Sequence, residues 1–141
     1  MYEHITTTRV RYAETDKMNV VYHGNYAQYF EIGRTEAIRD LGYTYKDLED
    51  EGVIMPVVEI SSKFLRPAHY DDLLTIKTML KELPTNHKME FLHEIYNAQG
   101  KLLTVGRVVL YFINAATREK TAMPKGWNEK LAVYFENKGD S

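Results

Sequence analysis

Cysteine is absent from all 141 residues. That excludes disulfides, thiolate zinc sites and a thiol nucleophile together. No sign of charge dominates: 18 Lys and Arg against 20 Asp and Glu leave a formal net charge of -2, so the whole molecule is no electrostatic trap for nucleic acid. Long apolar runs are missing too. The longest of note, VVLYFI from Val108 to Ile113, is far too short to span a bilayer. The opening MYEHITTTRV lacks the apolar stretch of a secretory signal, and a soluble cytoplasmic protein is expected. Neither GxGxxG nor GxxxxGK[ST] occurs, so a Gly-rich phosphate cradle is unsupported. Tryptophan occurs once against eleven tyrosines and five phenylalanines. Aromatic rings with a polar handle suit subunit interfaces and ligand slots, and they equally suit strands.

The length fits one domain over residues 1–141, with the tail from about residue 125 expected at the periphery, as a short helix that then frays. TTTRVRY, Thr6 to Tyr12, alternates and reads as a first strand. Asp16 to Tyr22 reads as a turn into an extended piece, with Asn19 able to take a left-handed backbone. A helix follows. Asn25 with Gln28 three positions on suggests a capping box, and Tyr26, Phe30, Gly33, Ala37 and Leu41 form one apolar stripe. Gly33 costs that helix about 1 kcal/mol relative to alanine, which implies close approach to a sheet. Gly42 ends it, and a further helical turn is expected within TYKDLEDEG.

From Val53 the period changes to two. In VIMPVVEISSKFL, one strand is expected with Ile54, Pro56, Val58, Ile60 and Phe64 on one face and Glu59, Ser61 and Lys63 on the other. RPAHYDD is a turn, LLTIKTMLKEL and HKMEFLHEIY are strands, and NAQG carries hairpin chemistry. KLLTVGRVVLYFIN is apolar on both faces, as a central strand would be. The order implies an α+β layer design: one long helix on an antiparallel sheet of about five strands.

Chemistry concentrates ahead of the helix. Asp16 stands on the connection between strand and helix, where a carboxylate can attack an acyl carbonyl or activate water. The N–H groups of the helix start would hold the oxyanion. On residue type alone, a turn or capping role for Asp16 outweighs the catalytic one. His23 is a proton shuttle, an orienting donor or a plain turn residue. His4, His69, His87 and His93 lack ligand spacing, so no metal is expected. Glu31 and Arg34 fit an ion pair on a helix flank. Glu59, in an apolar run, is a candidate binding group, although Ser61 and Lys63 beside it favour a solvated face. Lys63, Arg66, Lys81 and Lys88 could meet phosphates.

These residues carry a resemblance. RVRYAETDKMNVVYHGNYAQYFEIGRTE is similar to the N-terminal signature of the hotdog-fold acyl-CoA thioesterases of the 4-hydroxybenzoyl-CoA thioesterase family, and PVVEISSKFLRPAHYDDLL resembles its second block. The likeness implies a sheet curled around the long helix and hydrolysis of an acyl thioester to a carboxylic acid and free thiol. It puts the catalytic aspartate on Asp16, and the family's histidine and the carbonyl-polarising amide at His23. If Asn25 is the N-cap, that amide precedes the first turn and Gly24 is the alternative donor. Tyr22, Gly24, Tyr26, Glu59 and Lys88 are the implied substrate contacts, Lys88 for the phosphates. The tyrosines suit an aromatic or short aliphatic acyl chain. No cofactor is implied beyond the coenzyme A of the substrate. An acyl carrier protein thioester is an equal candidate substrate, and a homodimer or homotetramer with sites between subunits is implied. The competing readings are a hotdog acyl-thioester hydratase or dehydratase, and a non-catalytic acyl-CoA-binding protein.

Overall fold

The computed structural model describes residues 1–136. Its elements run β1 (Tyr2–Arg9), α1 (Tyr26–Asp40), α2 (Tyr45–Asp50), β2 (Val53–Ile54), β3 (Val57–Phe64), β4 (Leu73–Leu80), β5 (Lys88–Tyr96), β6 (Leu102–Tyr111), β7 (Ile113–Asn114) and α3 (Lys125–Ala132). Five strands form one antiparallel sheet in the order β1–β4–β5–β6–β3, and β2 and β7 pair separately. The single long helix lies on one face. This is the α+β hotdog arrangement. No helix of the described residues is long and apolar enough to cross a membrane.

The stripe of α1 is buried as its spacing demands: Tyr26, Phe30, Gly33, Ala37 and Leu41 all face the core. A Cβ on Gly33 would stand 2.5 Å from Thr78 Oγ1 and 2.7 Å from Ile76 Cγ2 of β4. The missing side chain is what lets the helix touch the sheet. One turn earlier the roles reverse. The Phe30 ring occupies the space above Gly106 of β6, where a Cβ would come within 2.3 Å of it, and stacks on His93 of β5 at 5.1 Å. Gly42, at φ 87°, stops the helix.

His93 is almost wholly buried, its Nδ1 lying 3.0 Å from Thr78 Oγ1. Burial, and then the nearby Arg34 guanidinium, push the imidazole down to about 3. Arg34 is itself buried on α1, with Nε donating to the Tyr45 hydroxyl at 3.3 Å and Glu31 at 3.9 Å from Nη2. The expected Glu31–Arg34 pair is therefore long and one-sided.

Four expectations are corrected. The first strand spans Tyr2–Arg9 rather than Thr6 to Tyr12. It leaves the sheet early because Tyr12–Glu14 closes a 3-10 turn, with the Glu14 carboxylate accepting the Arg11 N–H at 2.9 Å. Asn25 is no capping box with Gln28: its backbone is already helical and its side chain donates elsewhere. The segment from Val53 to Leu65 is two strands, broken at Pro56, which has no N–H to give a ladder. A bulge between Val57 and Glu59 then puts Val57, not Val58, on the face of Ile60 and Phe64. The tail is not all peripheral. Helix α3 seats Trp127 and Leu131 in the core, with Trp127 against Tyr43 and Phe112; the fraying expected beyond residue 136 lies outside the described residues.

Two outcomes follow from this packing. Gly33→Ala gains helix propensity but drives a methyl into Thr78 and Ile76, so urea denaturation should show a net loss of about 1–3 kcal/mol. His93 takes up its proton on unfolding at pH values below about 6.5, whereas the folded protein refuses it down to about 3. Stability should therefore fall as pH drops, by about 2 kcal/mol between pH 7 and pH 5 from this group alone. Denaturation curves of wild type against His93→Gln at both pH values measure that difference.

Candidate active site at the start of the long helix

Residues 15–22 form a small hairpin. Thr15 bridges Val21, the Asp16 N–H donates to the Val20 carbonyl at 2.9 Å, and Asn19 closes the turn at φ 64°. The left-handed backbone expected at Asn19 is present. The hairpin is held to the sheet by the 66–72 turn, where Val21 N–H donates to the Ala68 carbonyl and Val20 bridges His69. Both Val21 and Ala68 are buried.

Asp16 sits at the hairpin tip, partly exposed, beside a shallow depression lined by Tyr12, Ala13, Thr15 and Lys17. Its Oδ1 accepts the Met18 N–H at 2.8 Å. One carboxylate oxygen thus makes the turn, and the other has no hydrogen-bond donor among the described residues. Two residues down the hairpin, about 7 Å at strand rise, the Tyr22 N–H donates to the Glu14 carbonyl at 3.0 Å.

Helical winding begins at once after Tyr22. Its backbone is extended, His23–Asn25 is a 3-10 turn, and the turn runs directly into α1. The N–H groups of His23 and Gly24 therefore belong to the first turn, where neither has an acceptor among the described residues. Both amides therefore lie unpaired, among the described residues, at one helix end.

The sequence-named residues divide into two groups. Tyr22, His23, Gly24 and Tyr26 assemble around the helix start. The exposed His23 ring lies 4.4 Å from Tyr22 and 6.2 Å from Phe64, and Tyr26 lies 5.1 Å from Phe64. Tyr26 is buried, and burial raises its phenol, with hydrogen bonds from Thr104 and the Ala68 backbone opposing the shift. Glu59 and Lys88 are not brought here. Glu59 is five residues along β3 from Phe64, about 16 Å, and pairs with Arg107, which also holds Glu90. Lys88 opens β5 opposite Tyr111 and borders a polar depression with Lys81, Asn86 and Glu90.

Phe64 is the neighbour that sequence reasoning missed. Alternation places it on the inner face of the sheet, but only the strand order shows that the end of β3 meets the helix start. The surroundings are unusually apolar for a surface: Tyr12, Met18, Tyr22, Phe64, Leu65 and Tyr70 are all exposed. Strand β3 is exposed along all its length and is the outer strand beyond β6.

Residues 10–131 match the family model described as the thioesterase-like superfamily. Over 93 residues, covering 66% of this chain and 67% of the other, the chain is 43% identical to YneP of Bacillus subtilis, named as a candidate acyl-CoA thioesterase. It is 31% identical to the acyl-CoA thioester hydrolase YbgC of Escherichia coli O6:H1, over 83% of this chain and 87% of that one. A solved DHNA-CoA thioesterase from Staphylococcus aureus superposes with a TM-score of 0.89 at 33% identity, covering 96% of this chain and 92% of the other.

Proposed function

The chain belongs to the thioesterase-like superfamily and is a hydrolase of acyl-CoA thioesters; within that activity we propose that Asp16 is the catalytic carboxylate and the α1 start its oxyanion site. The observation that supports this is the pair of free N–H groups at His23 and Gly24, on a helix whose entry is tied to the Asp16 hairpin. A thioester carbonyl oxygen at those amides gains two donors and the positive end of a 15-residue helix. Charge builds on that oxygen whether Asp16 attacks the carbonyl carbon itself or takes a proton from an attacking water. The C–S bond then breaks. The sulfur leaves as coenzyme A thiol after taking up a proton, and the acyl group leaves as a carboxylate, one water being consumed. No cofactor enters this balance. The exposed aromatic surface of Tyr22 and Phe64 offers stacking area to the acyl or pantetheine arm. Acyl-CoA is an intracellular substrate class, and we place the enzyme in the cytoplasm with it.

The same reading covers assembly. An eight-residue strand with no neighbour on one side among the described residues, carrying exposed Val57, Val58, Ile60 and Phe64, is an unprotected edge. Two copies pairing antiparallel through β3 about a twofold axis would close it. That would set Glu59 of the partner subunit toward the Phe64 end, where this chain's own Glu59 does not reach. Lys88 and Lys81 are the cations assigned to the phosphates of coenzyme A. A homotetramer would be a second pairing of such dimers.

Asp16→Asn keeps an oxygen for the Met18 N–H, so it separates the turn role from the catalytic one. Thiol release from a panel of short, long and aromatic acyl-CoAs, with acyl carrier protein thioesters beside them, should fall about a hundredfold or more in that variant. A folded Asp16→Asn enzyme with near-normal turnover rejects the assignment. Assembly has its own check. Ile60→Lys should convert the protein to monomers in analytical ultracentrifugation and abolish turnover, whereas an unchanged dimer in that variant would exclude the β3 edge as the interface.

A further inference from the structure

Glu14 stands out in the connections around the site. Its carboxylate Oε1 accepts the Tyr29 hydroxyl at 2.7 Å and the Arg11 N–H at 2.9 Å. Its backbone carbonyl accepts the Tyr22 N–H at 3.0 Å and the Asn25 side-chain amide at 2.8 Å. One residue thus ties four groups together: the end of the first strand, the hairpin's second arm, the 3-10 turn and the first full turn of α1. Tyr29 is completely buried and braced edge-on against Tyr26 at 5.5 Å. Among the described residues the Glu14 carboxylate forms no ion pair. It serves as a hydrogen-bond acceptor rather than as a counter-charge.

We propose that Glu14 and Tyr29 are positioning residues for the reaction, a clamp that fixes the Asp16 hairpin against the His23 and Gly24 amides. The inference rests on the catalytic assignment of Asp16. The catalytic carboxylate and the oxyanion donors lie on separate segments, and Glu14 joins those segments two residues from Asp16. Catalysis of this kind is sensitive to sub-ångström placement, because a misplacement of about 1 Å can cost on the order of a hundredfold in rate. Binding is less sensitive, since the aromatic surface around His23 is built without the Glu14 side chain. Neither residue needs to touch substrate: the hydroxyl of Tyr29 is spent on Glu14, and Oε1 of Glu14 is already shared by two donors.

The test compares steady-state kinetics of Tyr29→Phe, Glu14→Leu, Glu14→Gln and Asp16→Asn on the best acyl-CoA, with thermal melting and assembly size measured for each. Tyr29→Phe keeps the ring in the core and removes only the hydroxyl, and with it the hydrogen bond to Glu14. Glu14→Gln keeps an oxygen that can accept both donors. Expected are falls in kcat of about ten- to a hundredfold for Tyr29→Phe and Glu14→Leu, with KM within about twofold. Glu14→Gln should recover most of that loss. Unchanged kcat in Tyr29→Phe beside an inactive Asp16→Asn overturns the clamp and leaves the catalytic assignment standing. So does a loss that merely follows the unfolded or dissociated fraction. Glu14→Gln as inactive as Asp16→Asn would make Glu14 a reacting carboxylate, which also overturns the positioning role. Normal turnover in Asp16→Asn removes the assignment and the clamp together.

Discussion

Everything in this molecule is referred to the contact of Gly33 with Thr78 and Ile76. A helix crossing a sheet normally stands off by the thickness of its side chains. Here it comes down until backbone meets β4, and the height of α1 fixes what surrounds it. Phe30 can reach over Gly106 because the helix is low. His93 is sealed beneath the same turn, and its imidazole stays neutral for want of water. The helix start, about two turns earlier, is thereby pinned over the Phe64 end of β3. The free amides of His23 and Gly24 inherit their position from a residue with no side chain.

On the proposed assignment, Asp16 combines a structural role and a chemical one in a single carboxylate. The hairpin needs one oxygen for the Met18 N–H, and that bond orients the other. The turn role favoured by the sequence reading falls to Oδ1, and the catalytic role implied by the family resemblance is proposed for the other oxygen. His23 divides in the same manner. Its ring packs among Tyr22 and Phe64, while its amide, a property of the backbone, faces the free end of the helix.

What could be read from the sequence was whatever depends on local period and residue geometry. The α1 stripe, the breaking role of Gly42, the left-handed Asn19 and the inner and outer faces of β3 from Glu59 onward all follow from spacing and backbone preference. The failures share a cause. Asn25 has the right side chain for a cap, but a tertiary acceptor, the Glu14 carbonyl, claims it. Pro56 was assigned to a face when its missing N–H had already broken the strand. The tail was expected at the periphery, and only packing shows Trp127 in the core. Within the site, Asp16 and His23 stood out because they are neighbours along the chain. Phe64 came from forty residues further on, and nothing local announces which strand end meets which helix end.

The exposed β3 has a consequence for synthesis as well as for the finished protein. Its one ladder partner among the described residues is β6, and β4 and β5 are made in between. At about 5–20 residues per second, an apolar strand with both edges open waits seconds on the ribosome before half of its hydrogen bonds can form. During that interval its nearest complementary surface is another nascent copy of itself, emerging from a neighbouring ribosome on the same messenger. The strand that suits the finished enzyme for pairing is therefore also the segment most exposed to premature pairing, and charged Glu59 and Lys63, alternating along it, are the residues placed to slow that encounter.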